Sequence, residues 1–175
     1  AQITAISTGS TITGTANADV ITLGAAVDTV IFSHTATTSD TIGGFSVTGL
    51  DEITLAAGSG TGIDVDGLVS DINLNGVDGA AKTINKAMTT IEDNASALTA
   101  AGLYAIATSG TNDLTVTNAD NVVYVAFDNG VDSAIARINS AGNMVVDEAE
   151  ITIVATITGV ADATLLVGAN LTDFA

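Results

Sequence analysis

The feature that most constrains this chain is the placing of aspartates ahead of short β-prone apolar steps. Asp19-Val-Ile21 and Asp28-Thr-Val30 lie nine residues apart, and the same step returns at Asp40-Thr-Ile42 and Asp51-Glu-Ile53. Turn-forming stretches such as Gly14-Thr-Ala-Asn17-Ala and Gly24-Ala-Ala-Val precede the first two. A short fixed period of turn, acid and apolar residue marks one small unit used repeatedly, and such units bury their apolar faces only by stacking on neighbours. Short strands are therefore expected at Ile12, Val20 to Leu23, Val30 to Ser33, Phe45 to Val47 and Glu52 to Ala56, with Gly and Asp turns between them.

In register, with most glycines replaced, this segment resembles the nonapeptide of the repeats-in-toxin (RTX) family. Where that pattern has Gly-Gly-x-Gly-x-Asp, this chain has Gly14-Thr-Ala-Asn17-Ala-Asp19 and Leu23-Gly24-Ala-Ala-Val-Asp28. The resemblance is strongest over residues 17–55. It returns in Thr156-Ile-Thr-Gly-Val160-Ala-Asp162-Ala-Thr-Leu165 and Asn170-Leu-Thr-Asp173-Phe-Ala175, which look like the uncleaved C-terminal export region of such proteins, RTX-type S-layer proteins included. Val122-Val-Tyr124-Val-Ala-Phe127-Asp128-Asn-Gly130-Val-Asp132, followed by Ala136-Arg137-Ile138, is similar to the last hairpin of those export domains. The resemblance implies a calcium-binding β-roll, passage through a type I secretion machinery, and a secreted or cell-surface location on a Gram-negative bacterium.

Composition narrows the function classes. With 3 Lys+Arg against 20 Asp+Glu the net charge is -17, so the chain repels nucleic acid and anionic membrane and attracts cations. Val, Ile and Thr suit a pleated, half-buried surface, and a body with few aromatics, no Pro and no Cys is expected to be β-rich and built from small side chains. Without cysteine there is neither a disulfide framework nor a thiolate metal site. No apolar run approaches the roughly 20 residues of a membrane-spanning helix, so no membrane insertion is expected. A start at Ala1-Gln2 fits loss of an initiator Met from a chain made without a cleaved leader; a signal peptide cut before Ala1 is the alternative.

Along the chain, residues 1–76 read as an N-terminal β region, opened by a short strand within Gln2 to Ser7 that closes an edge of its own sheet or adds to a neighbouring subunit. Ile63-Asp-Val-Asp66-Gly and Ser70-Asp-Ile-Asn-Leu-Asn75-Gly alternate apolar with Asp or Asn, a polar ladder facing water or cations. Ile84, Met88, Ile91, Ala95 and Leu98 recur at steps of four and three, which predicts an amphipathic helix over about 78–101, capped by Asp78 and ended at Gly102, covering one side of a sheet. Residues 103–175 read as a C-terminal β region with strands at Leu103 to Ala107, Leu114 to Thr117, Val122 to Phe127, Ser133 to Ile138, Met144 to Val146, Glu150 to Ile157 and Leu165 to Val167. The fold class is thus mainly β, a β-roll or β-sandwich-like body with one helix.

Calcium takes six to eight hard oxygen ligands on a bent chain. Asp128, Asn129 and Asp132 around Gly130 offer three in one turn; Asn17, Asp19 and Asp28 offer a comparable set if consecutive turns stack along one edge. Asp40 and Asp51 are further candidates, or cap turns through their own backbone. Catalysis finds little support. The single histidine, His34, has no second His or Cys beside it, Ser33 next to it points to the opposite strand face, and Asp147-Glu148 with Glu150 reads as a solvated turn. The expectation is a noncatalytic structural protein that binds calcium and self-assembles into an extracellular surface layer, filament or matrix. The alternative is a monomeric adhesin or ligand-binding export module.

Overall fold

The alternation of short strands between two sheets is what the nine-residue spacing produces. In a computed structural model, which describes residues 1–5, 8–33, 38–56, 69–72, 83–84, 88–108, 114–116, 122–140, 145–166 and 170–172, β1 (Gln2–Thr4), β3 (Val20–Thr22) and β5 (Asp40–Gly43) lie side by side in one sheet. β2 (Thr11–Thr13), β4 (Thr29–Ser33) and β6 (Glu52–Ala56) lie in a second, and every pair within these two groups is parallel. Gln2 pairs with Val20 and Thr11 with Thr29, so a coil takes 18 residues and two nine-residue units make one circuit. Later coils are longer: Val20 pairs with Thr41 and Thr29 with Glu52, steps of 21 and 23 residues. The apolar residue two places after each aspartate, Ile21, Val30, Ile42 or Ile53, points inward and is fully buried.

The first sheet continues through β7 (Val69–Ile72), β9 (Met88–Asn94), β11 (Val122–Asp128), β12 (Ser133–Asn139) and β13 (Ile151–Ile157) to eight strands in the order β1-β3-β5-β13-β12-β11-β9-β7. β8 (Thr83–Ile84) and β10 (Thr115–Val116) form a separate pair. β14 (Leu171–Thr172) completes the second sheet beside β6. The protein is mainly β with a sandwich-like body.

Two apolar clusters follow from this layering. Between the sheets, Ile12, Val30, Phe32, Ile53 and Leu171 meet Ile21, Ile42, Tyr124, Ile135, Val154 and Ile157, so the two β regions of the sequence share a core. On the opposite face of β11 and β12, Val123, Val125, Phe127, Ala134, Ala136 and Ile138 pack with Leu103, Ile106 and Ala107 of a helix. β11 is buried on both faces, which its unbroken run Val-Val-Tyr-Val-Ala-Phe anticipates. β13 lies between β5 and β12, inside the sheet.

That helix, α1 (Ala100–Ala107), is not where periodicity put it. Of the helix expected over 78–101, residues 78–82 and 85–87 lie outside the described residues; Thr83–Ile84 and Met88–Asn94 are strands, and α1 occupies the segment expected as the strand Leu103 to Ala107. Thr89 and Thr90 are β-branched, and β9 gains parallel partners on both sides, β11 and β7, so strand pairing overrides the helical stripe. Thr99 caps α1, its hydroxyl accepting from Gly102 N at 3.1 Å. Gly102 is inside the helix, not past its end: a Cβ there would stand 2.0 Å from the Ala97 carbonyl oxygen. Two smaller corrections concern strands. Phe45 to Val47 is not a strand but irregular chain leading from Gly44 at φ +77° into a turn over residues 47–50, and Leu165 ends a 3-10 turn over Ala163–Leu165.

Candidate functional site

The expected metal ligands are the polar groups on which the fold converges. Asp19 and Asp28 do not share an edge: one precedes β3 and the other β4, in different sheets. Their true neighbours are one full coil away, Asp40 for Asp19 and Asp51 for Asp28, and all four are at most 3% exposed. Each carboxylate takes a donor from the coil before it. Asp19 N–H donates to Asp40 Oδ1 at 2.8 Å and Asp28 N–H to Asp51 Oδ1 at 2.9 Å. Ser10 N–H donates to Asp28 Oδ1 at 2.7 Å, and the Ala1 amine to Asp19 Oδ1 at 2.6 Å. The second oxygen of three of them takes an N–H from its own turn: Thr15 to Asp19, Gly24 to Asp28 and Ser46 to Asp51, at 2.7, 2.9 and 2.8 Å. Gly14 leaves room for this packing, since a Cβ would stand 2.8 Å from Asp40 Oδ2.

The electrostatics of the first column are asymmetric. The Ala1 amine, then Thr15, hold the Asp19 carboxyl down to about 2. Burial pushes Asp40 up, against the Asp19 N–H that favours its charged form.

Asp128 repeats the device at the β11–β12 turn. It is 2% exposed and accepts from Gly130 N–H on Oδ1 and Ala163 N–H on Oδ2, both at 2.9 Å, tying the β11–β12 turn to the 3-10 turn at Ala163–Leu165. Asn129 Oδ1 accepts from Val131 and Asp132 N–H at 3.0 and 2.9 Å, and Asp132 Oδ1 from Gly159 N–H at 2.8 Å. Asn17 is exposed at the tip of its turn.

These arrangements do not fit the calcium that the RTX resemblance implies. Calcium needs several oxygens turned towards one point, whereas both oxygens of Asp19, Asp28, Asp51 and Asp128 are turned towards separate N–H groups. Among the described residues no three of His, Cys, Asp and Glu gather closely enough to hold a metal ion. Candidate acid–base groups fare similarly. Asp147 N–H donates to Glu150 Oε2 at 2.9 Å, which caps a 3-10 turn at Glu148–Glu150, and His34 lies outside the described residues.

Three contributors escaped sequence reasoning. Ser10-Thr-Ile12 is an Asp-x-apolar step with Ser in the acid's place, a signal the pattern contained. Asn170 donates from Nδ2 to the carbonyls of Val47 and Asp51 at 3.1 and 3.0 Å, fastening β14 to the roll. Tyr124 and Arg137 face each other across β11 and β12. Burial pushes the phenol pKa up and Arg137 draws it back, yet neither the Tyr124 hydroxyl nor Arg137 Nε has a partner of hydrogen-bonding geometry.

No family model, no curated protein and no solved structure matches the chain.

Proposed function

We propose that this chain is a noncatalytic structural subunit, exported by type I secretion, that self-assembles outside the cell into a layer, filament or matrix. The observation that carries the reading is the backbone of β1 and β2, the outermost strands on that side of the two sheets among the described residues. Thr29 N–H donates to Ser10 O and Gly14 N–H to Ile31 O, so residues 10, 12 and 14 bond to β4 and the N–H groups of Thr11 and Thr13 turn outward. Val20 N–H to Ala1 O and Ala5 N–H to Thr22 O set the same alternation in β1, leaving Gln2 and Thr4 turned out. Among the described residues β1 and β2 are outermost in their sheets, and residues 1–18 contain no Asp, Glu, Lys or Arg. On a chain of net charge -17, these two edges without a charged side chain are where copies meet with least repulsion, and they lack the charged side chains that usually blunt an edge strand. The degenerate RTX register supports the export route.

A second reading, a monomeric adhesin or ligand-binding module, is favoured by the length of those edges. β1 and β2 have three residues each, a small face beside the roughly 800 Å² per partner of a stable interface. Light scattering across protein concentration, with electron microscopy of the large species, separates the two. Thr11→Pro removes only an outward N–H and is expected to abolish assembly while far-UV circular dichroism is unchanged. A wild-type chain that stays monomeric at every concentration would sink the assembly reading in favour of the second.

A further inference from the structure

We infer that the β-roll of this chain stands without calcium, its aspartates bonded to backbone N–H groups of their own turn and of the preceding coil where a calcium roll would direct oxygens at an ion. The inference is independent of whether the protein assembles.

Three observations carry it. First, the bonding is uniform. Asp19, Asp28, Asp40 and Asp51 each accept from the residue one coil earlier, and Asp28 and Asp51 have one N–H on each oxygen. Second, the turns are of the wrong kind. Thr15 and Asn17, and Leu23 and Ala26, stand where the repeat has glycines, and no residue of either turn has positive φ. L-residues rarely adopt the left-handed conformation that glycine permits; these turns present N–H groups to the carboxylates. Third, the columns are separated. Nine-residue neighbours sit in different sheets, so the acids pair one coil apart, and each pair, Asp19 with Asp40 and Asp28 with Asp51, is bridged by the N–H of its first member. That N–H is a backbone donor to the charged form of the later carboxylate, a charge-assisted bond made without an ion.

The test uses the full chain. Thermal unfolding is followed by circular dichroism in chelator, in calcium, and in magnesium at equal concentration, which corrects for screening of the acidic surface. The chain is expected to be folded in chelator, with the same Tm in calcium as in magnesium. A specific site saturated at a hundred times its Kd would instead raise Tm by about 5–10 °C for a chain of this size, and that calcium-specific rise would overturn the inference. Asp28→Asn sharpens the result, because the amide nitrogen faces the N–H of Ser10 or Gly24. Its Tm deficit is expected to be equal in chelator and in calcium, whereas a lost calcium ligand would show a deficit in calcium that vanishes in chelator. If Asp28→Asn does not fold, the wild-type comparison alone decides.

Discussion

Asp128 offers the most quantitative check on the idea that these carboxylates are fasteners. Its two oxygens each accept one N–H at 2.9 Å, from Gly130 and Ala163, and the side chain is 2% exposed. Asparagine keeps the shape and one acceptor, but turns an N–H₂ group towards the other N–H. Hydrogen bonds to charged groups contribute about 1.5–3 kcal/mol, and a buried donor left unsatisfied costs about 1–3 kcal/mol. Asp128→Asn is thus expected to cost about 2–4 kcal/mol, and Asp128→Ala, which strands both donors, about 3–5 kcal/mol. Either is a large share of the roughly 5–15 kcal/mol by which a domain is stable. Urea unfolding at neutral pH, followed by circular dichroism, should show the midpoint falling in the order wild type, Asn, Ala with the slope unchanged. An Asn variant within about 0.5 kcal/mol of wild type would refute the reasoning, since an acceptor that can be half replaced by a donor at no cost is not holding two N–H groups.

Other expectations follow from the same accounting. Tyr124→Phe removes a buried hydroxyl that has no partner, so it should leave stability unchanged or raise it by about 1 kcal/mol; a loss of more than that in urea unfolding would mean the hydroxyl is bonded. Val154→Lys places a charge in the shared core at a residue 1% exposed in a strand flanked on both sides, and should unfold the monomer, lowering Tm in dilute solution where no assembly is present. Asp40, whose pKa is raised by burial, favours the folded state most when protonated, below its ordinary 3.8, and that contribution is lost as pH rises through the raised value. Asp40→Asn keeps an acceptor for the Asp19 N–H, so its Tm at pH 7 should equal or exceed that of wild type, the difference closing in acid. Asp19 has the opposite sign: its contribution is present above 3.8 and lost as pH falls through about 2, so Asp19→Asn should flatten the acid limb of a Tm against pH curve between those values.

How much of this was legible depended on whether a local pattern had a local cause. Asp-x-apolar steps are local, and the strands expected at Val20, Val30 and Glu52 lie within a residue of β3, β4 and β6, whereas β5 at Asp40–Gly43 took the place of the strand expected at Phe45 to Val47. The strand expected over Glu150 to Ile157 likewise matches β13, while its place inside the sheet depended on β5, far away in sequence. The stripe Ile84, Met88, Ile91 pointed to a helix because spacing carries no information about the two strands that flank β9. The acids were recognised as a set but grouped wrongly, because nine residues is half a coil. Which acids become neighbours is decided by coil length, and the turn insertions stretch that from 18 to 21 and 23 residues.

The pairing of β5 with β13 bears on how the chain reaches its native state. Asp40 lies against Ala155 and Ile53 against Leu171, contacts that span 115 and 118 residues. Stacked coils alone would fold by neighbour-to-neighbour growth, but here the last coil is completed on both sheets by strands from the far end of the polypeptide. Closing loops of that length is slow and comes before the contacts that repay it. A chain emerging from a ribosome therefore leaves β5 and β6 without their partners β13 and β14 until those late strands are through.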